Sequence, residues 1–97
     1  MTAPAHRNAT ARDWIWIQPV RPSMAHVAKE VAERHGITVA DLKGRSQYRD
    51  VCRARHECMS IMKTLAGRSY SEIGRFLGRD HASVIHGVRV HAARQAG

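Results

Sequence analysis

The chain has 97 residues, with 16 Lys+Arg against 8 Asp+Glu and a formal net charge of +8 at pH 7 before any of its seven histidines protonate. Such a length holds one modest core that can orient surface groups, but it is small for an enzyme that must enclose a substrate. The cationic excess favours an acidic partner, and nucleic acid is the commonest soluble one. A membrane surface would require a basic amphipathic helix with a broad apolar face, and none stands out. No stretch approaches the length of a transmembrane span and the N-terminus lacks a signal peptide's apolar core, so a cytoplasmic, nucleoid-associated protein is expected.

Residues 1–22 differ in texture from the rest. Pro4, Pro19 and Pro22, small residues and scattered charge predict a flexible arm without a packed core of its own. Within it, Trp14, Ile15, Trp16 and Ile17 form a strongly apolar segment. Two readings stand side by side: a tail anchor covering a groove on the domain, or a docking peptide for a protein partner or second copy.

Residues 23–97 then read as one all-α domain. Ser23 is placed to cap a helix through about His35, with Val27, Ala28, Val31 and Ala32 as its apolar stripe and Gly36 as its stop. Thr38 to Asp41 predict a short capped turn, Leu42 folding back against the first helix and Gly44 closing it. Residues 43–49 read as an exposed basic loop. A longer helix follows from about Asp50 to Ala66. Val51, Ala54, Cys58, Ile61, Met62 and Leu65 recur on its core face, while Arg49, Arg53, His56, Ser60 and Lys63 fall on a polar, largely basic one. Cys52 and Cys58, six positions apart on this helix, lie on different turns and read as reduced thiols.

Ser69 and Glu72 form a capping box that opens a helix through about Leu77. Gly78 and Arg79 break it, and Asp80 caps a final helix reaching about Gln95. Two short helices across a Gly-containing corner make the helix-turn-helix shape. Ile73, Phe76 and Leu77 pack from the first helix; Val84, Ile85, Val88 and Ala92 pack from the second. The free face at the start of the last helix then carries His81, Ala82, Ser83 and His86, where a recognition helix meets base edges and its backbone N–H groups suit phosphate.

Glu72-Ile73-Gly74, followed by Gly78-Arg79-Asp80-His81-Ala82-Ser83-Val84-Ile85-His86, resembles the signature of the C-terminal DNA-binding domain of the bacterial DnaA replication initiators. Val39-Ala40-Asp41-Leu42 is similar to the V-A-D-L segment of the same family, and the resemblance covers residues 23 to about 92. It implies a helical domain that reads a short duplex box, with the basic loop reaching the adjacent minor groove. Carried over by position, Asp80, His81, Ala82 and Ser83 face base edges, with His86 nearby. Arg79 contacts phosphate, and Arg55, His56 and Lys63 take backbone-contacting positions on the preceding helix. Ser71 matches the start of the motif's first helix, and Arg45 and Arg49 serve the phosphates and the minor groove.

Three departures accompany the match. Ala82 stands where the family usually has Thr, a single Gly78 replaces a frequent glycine pair, and Gln47 occupies the place of the minor-groove Arg. The family's ATPase domain has no counterpart, since no G-x-x-x-x-G-K-[ST] loop occurs. The expectation is therefore a stand-alone relative that binds double-stranded DNA at initiator-box-like sites and regulates replication initiation or transcription. The rival is an adaptor that binds replication-initiator proteins through Trp14–Ile17.

Other chemistry finds little support. Cys52 and His56 are four apart and His81, His86 and His91 are spaced by five, but no Cys-x-x-Cys or His-x-x-x-His pair joins them, so no metal and no cofactor is expected. Cys58 belongs to the core stripe, and no paired carboxylates appear. The chain reads as a non-enzyme without catalytic residues.

Overall fold

The computed structural model describes residues 21–96, in which five α-helices and no strands are found. The Trp14–Ile17 segment lies outside the described residues. Helix α1 (Met24–His35) starts where Ser23 Oγ accepts from the His26 N–H at 3.1 Å and ends at Gly36. Its stripe of Val27, Ala28, Val31 and Ala32 is buried as the spacing predicts. Pro22 is buried and Arg21 lies against Gly67.

Helix α2 (Val39–Lys43) is a single turn held by a reciprocal capping box. The Asp41 N–H donates to Thr38 Oγ1 and the Thr38 N–H to Asp41 Oδ2, each at 3.0 Å. This box drives Leu42 into the core, where it is fully buried. Lys43, assigned to the loop by sequence, completes the helix and sits 4.3 Å from the Phe76 ring centroid.

Helix α3 (Arg49–Thr64) is the centre of the domain, packed against each of the other four helices. This surround explains where its sequence pattern is incomplete. A single stripe of three- and four-residue spacings serves a helix covered on one side, but α3 is covered on several. Ala54, Cys58, Ile61 and Met62 are buried as expected; Met59 and Arg55 join them, whereas Val51 and Leu65 are only half-buried. Glu57 binds both Arg34 and His35 (the latter at 2.8 Å), tying α1 to α3.

Helix α4 (Tyr70–Leu77) opens on the expected box: the Glu72 N–H donates to Ser69 Oγ at 3.1 Å and the Ser69 N–H to Glu72 Oε1 at 2.9 Å. Ile73 and Leu77 are buried beneath it. Helix α5 (His81–Ala96) is held by Val84, Gly87 and the partly buried Val88. Ile85 is half-buried and Ala92 exposed, so α5 buries a narrower stripe than sequence spacing implies. The difference comes from Gly87. A β-carbon there would lie 2.4 Å from Met59 Sδ and 3.0 Å from the His56 ring, so the bare backbone lets α5 settle directly onto α3.

Candidate nucleic-acid interface

The corner between α4 and α5 is built from backbone contacts. Gly78 leaves α4 in the left-handed region at φ 71°, and the Arg79 N–H donates back to the Gly74 carbonyl at 2.7 Å. Gly74 has to be glycine in this geometry, because a β-carbon would stand 2.4 Å from the Arg79 carbonyl oxygen. Asp80 then starts α5: its Oδ1 accepts from the Ser83 N–H at 2.8 Å and its carbonyl from the Val84 N–H at 3.3 Å. The hydrogen bond from the Ser83 backbone, more than any other contact, holds the Asp80 carboxyl below the usual carboxylate range. Asp80 is thus an ionised helix cap with its second oxygen uncommitted to the cap.

His81, Ala82, Ser83 and His86 are exposed on the first two turns of α5. Ala82, Ser83 and His86 border an open cleft of about 390 Å³, closed on its other sides by α3 and by the loop at residues 44–48, which contributes Gln47. At its floor the His56 and His86 rings meet edge-on with centroids 6.2 Å apart. His56 is half-buried, and Nδ1 has no hydrogen-bond partner. Burial first, then the charges of Arg94, His86, Arg55 and His91, lower its pKa from the ordinary value. His56 therefore belongs to the α3–α5 contact and the cleft floor.

Arg55 stands apart from the other candidate residues. Expected at a backbone-contacting position, it is only 3% exposed. Its Nε donates to the Leu42 carbonyl at 2.9 Å, and its Nη2 reaches the carbonyls of Asp41, Gly44 and Ser46, each at 3.2 Å. The guanidinium satisfies the carbonyls left over at the end of α2 and through the loop, so it holds the loop's shape from within. Arg79 acts on the same loop from the other side, donating to the Leu77 carbonyl at 2.9 Å and to the Gly44 carbonyl at 2.5 Å. It is half-buried, and its remaining N–H groups are not committed to these two bonds.

With this geometry in view, known proteins give a consistent match. The family model of the bacterial DnaA protein helix-turn-helix matches residues 24–90. The chain belongs to the bacterial DnaA helix-turn-helix family. Two chromosomal replication initiator proteins DnaA, from two strains of Cereibacter sphaeroides, are each 40% identical to it over 68 residues. That alignment covers 69% of this chain but only 15% of either relative, so the chain spans a small part of the length of the curated relatives it matches.

The match runs through all of α1 to α4 and most of α5, and the remaining candidate residues of this DnaA-type domain are not among those lining the cleft. Arg45 and Arg49 are exposed, one in the loop and one on the first turn of α3. Ser71 is exposed on the first turn of α4, and Lys63 Nζ lies 4.5 Å from the centroid of the neighbouring Tyr70 ring. Sequence reasoning missed Tyr48. It precedes α3, lies between Gln47 and Arg49, and is 81% exposed. An aromatic residue inside an otherwise polar, basic loop was the available signal.

Proposed function

We propose that the protein binds double-stranded DNA with a preference for initiator-box-like sites, acting in the regulation of replication initiation or of transcription in the nucleoid. The observation that carries this reading is the exposed start of α5, where Ala82, Ser83 and His86 border one cleft with Gln47 of a basic loop anchored to the same corner. His81, Ala82, Ser83 and the outer oxygen of Asp80 meet base edges in the major groove, with His86 beside them. Arg45, Arg49, Lys63, Arg79 and the N-terminal turn of α4 at Ser71 meet phosphates. Arg55 shapes the loop and makes no phosphate contact. With about five phosphates neutralised, the logarithm of affinity should fall with the logarithm of salt at a slope near −4.5.

The test is a titration of two fluorescent duplexes, one with an initiator-type box and one scrambled, at two salt concentrations. A preference of about tenfold, equivalent to about 1.4 kcal/mol, that disappears in His81→Ala supports sequence reading by α5. Equal, steeply salt-dependent binding to both duplexes reduces the function to non-specific DNA binding. No binding at low salt sinks the reading.

A further inference from the structure

The ring of Tyr48 stands apart from the other aromatic side chains near the interface. Tyr70 is half-buried under Lys63, and Phe76 is half-buried beside Lys43. Tyr48 is 81% exposed and is the exposed large hydrophobic among the described residues. Exposure of this kind on a mobile segment would carry little meaning, but the backbone here is fixed. The Tyr48 N–H donates to Ser46 Oγ at 3.3 Å, and its carbonyl accepts from the Cys52 N–H at 2.9 Å to begin α3. Arg55 and Arg79 hold the preceding loop through the Gly44 carbonyl, and Arg79 belongs to the corner that starts α5. The phenol is therefore carried in register with His81, Ala82 and Ser83.

Its neighbours identify the occupant. Gln47 lines the same cleft as Ala82 and Ser83, while Arg45 and Arg49, both exposed, flank the ring in sequence. An amphipathic ring between two cations, beside a helix start, matches the alternation of apolar sugar faces and anionic phosphates along a duplex strand. We propose that Tyr48 is a further DNA contact, one that adds affinity. Its ring packs on the deoxyribose wall of the groove next to the one entered by α5, between phosphates held by Arg45 and Arg49. This inference rests on the DNA-binding reading above. It assigns the loop an uncharged contact in addition to its cationic ones, so Tyr48 adds affinity that salt does not screen.

The experiment compares the full chain with Tyr48→Ala and Tyr48→Phe on the box duplex across a salt series, alongside thermal melts of each protein. The expected result is a loss of about fivefold to tenfold in Tyr48→Ala, near-parental binding in Tyr48→Phe, and a salt slope unchanged in both. Melting temperatures should be unchanged because the ring is not part of the core. In the parental protein, nitration of Tyr48 read by peptide mass should be suppressed by the box duplex. Parental affinity in Tyr48→Ala, or nitration unaffected by DNA, overturns this assignment while leaving the α5 reading intact. A parental protein that binds neither duplex overturns both.

Discussion

Replacing Arg55 by methionine keeps most of the side chain's aliphatic volume and removes its charge with four hydrogen bonds to main-chain carbonyls. A hydrogen bond from a charged donor contributes about 1.5–3 kcal/mol net, and the simple sum would exceed what the domain can lose. The Asp41, Gly44 and Ser46 carbonyls belong to the end of α2 and the loop, and they regain water once the loop opens. Leu42 is fully buried, and its carbonyl has no such recourse. Removing the guanidinium also relieves the cost of burying a charge. The balance is a loss of about 3 kcal/mol, which for a domain of this size lowers the melting temperature by roughly 12–24 °C. Arg55→Lys should recover little of it, since a compact ammonium does not span carbonyls spread along a loop. The assay is a circular-dichroism melt of each variant, paired with the salt dependence of DNA binding. If Arg55→Met melts within a few degrees of the parent while the salt slope becomes shallower by about one unit, Arg55 is a phosphate contact and the argument from burial is refuted.

Gly74→Ala should destabilise by about 2 kcal/mol or more despite alanine's higher helix propensity, because its β-carbon meets the Arg79 carbonyl at 2.4 Å; a denaturant midpoint equal to the parent's would show that the corner relaxes at no cost. Burial pushes the Cys58 thiol up to about 12, so a disulfide reagent at pH 8 should leave it unmodified in the native protein and label it in denaturant. Burial lowers the pKa values of both His35 and His56 below the ordinary 6.5, which means that the unfolded chain takes up protons first as pH falls. Their contribution to stability is therefore intact above about pH 7 and declines toward pH 5. Melts at pH 5.5 and 7.5 should show this, His56→Gln should flatten it, and a parental profile that is flat already contradicts it. Ala82→Thr should tighten binding to the box duplex by about 1 kcal/mol through an added methyl and hydroxyl at an exposed position, and titration showing no improvement would place residue 82 away from the bases.

Local chemistry explains which features could be read from sequence. Ser23, Thr38 with Asp41, and Ser69 with Glu72 satisfy donors within three residues of themselves, so their caps show in the order of residues alone. The corner motif is equally local: Gly78 ends α4 and Asp80 caps α5 within two residues of each other. Arg55 was illegible because its partners lie nine to fourteen positions earlier, and hydropathy assigns an arginine to solvent. The role of Gly87 was hidden for the same reason: only the approach of Met59 and His56 from another helix shows that a side chain has no room there.

The same distinction separates the frame of the site from what it reads. Gly44 contributes one carbonyl that accepts from Arg55 below and Arg79 beside it, so the loop and the start of α5 share a single anchor. Gly74 and Gly87 set how closely α4, α5 and α3 approach. None of these residues needs to touch DNA for the geometry to hold. Gln47 and Ala82, two of the departures from the family pattern, are exposed positions on either side of the cleft. Exposed substitutions away from caps, core and strained backbone change stability by only about 0.5 kcal/mol, whereas a single altered interaction with a base changes affinity by about 1–3 kcal/mol. On the proposed DNA-binding reading, changes at residues 47 and 82 therefore adjust base preference while leaving the docking frame in place, because that frame is fixed by the Gly44 anchor and the close packing at Gly74 and Gly87.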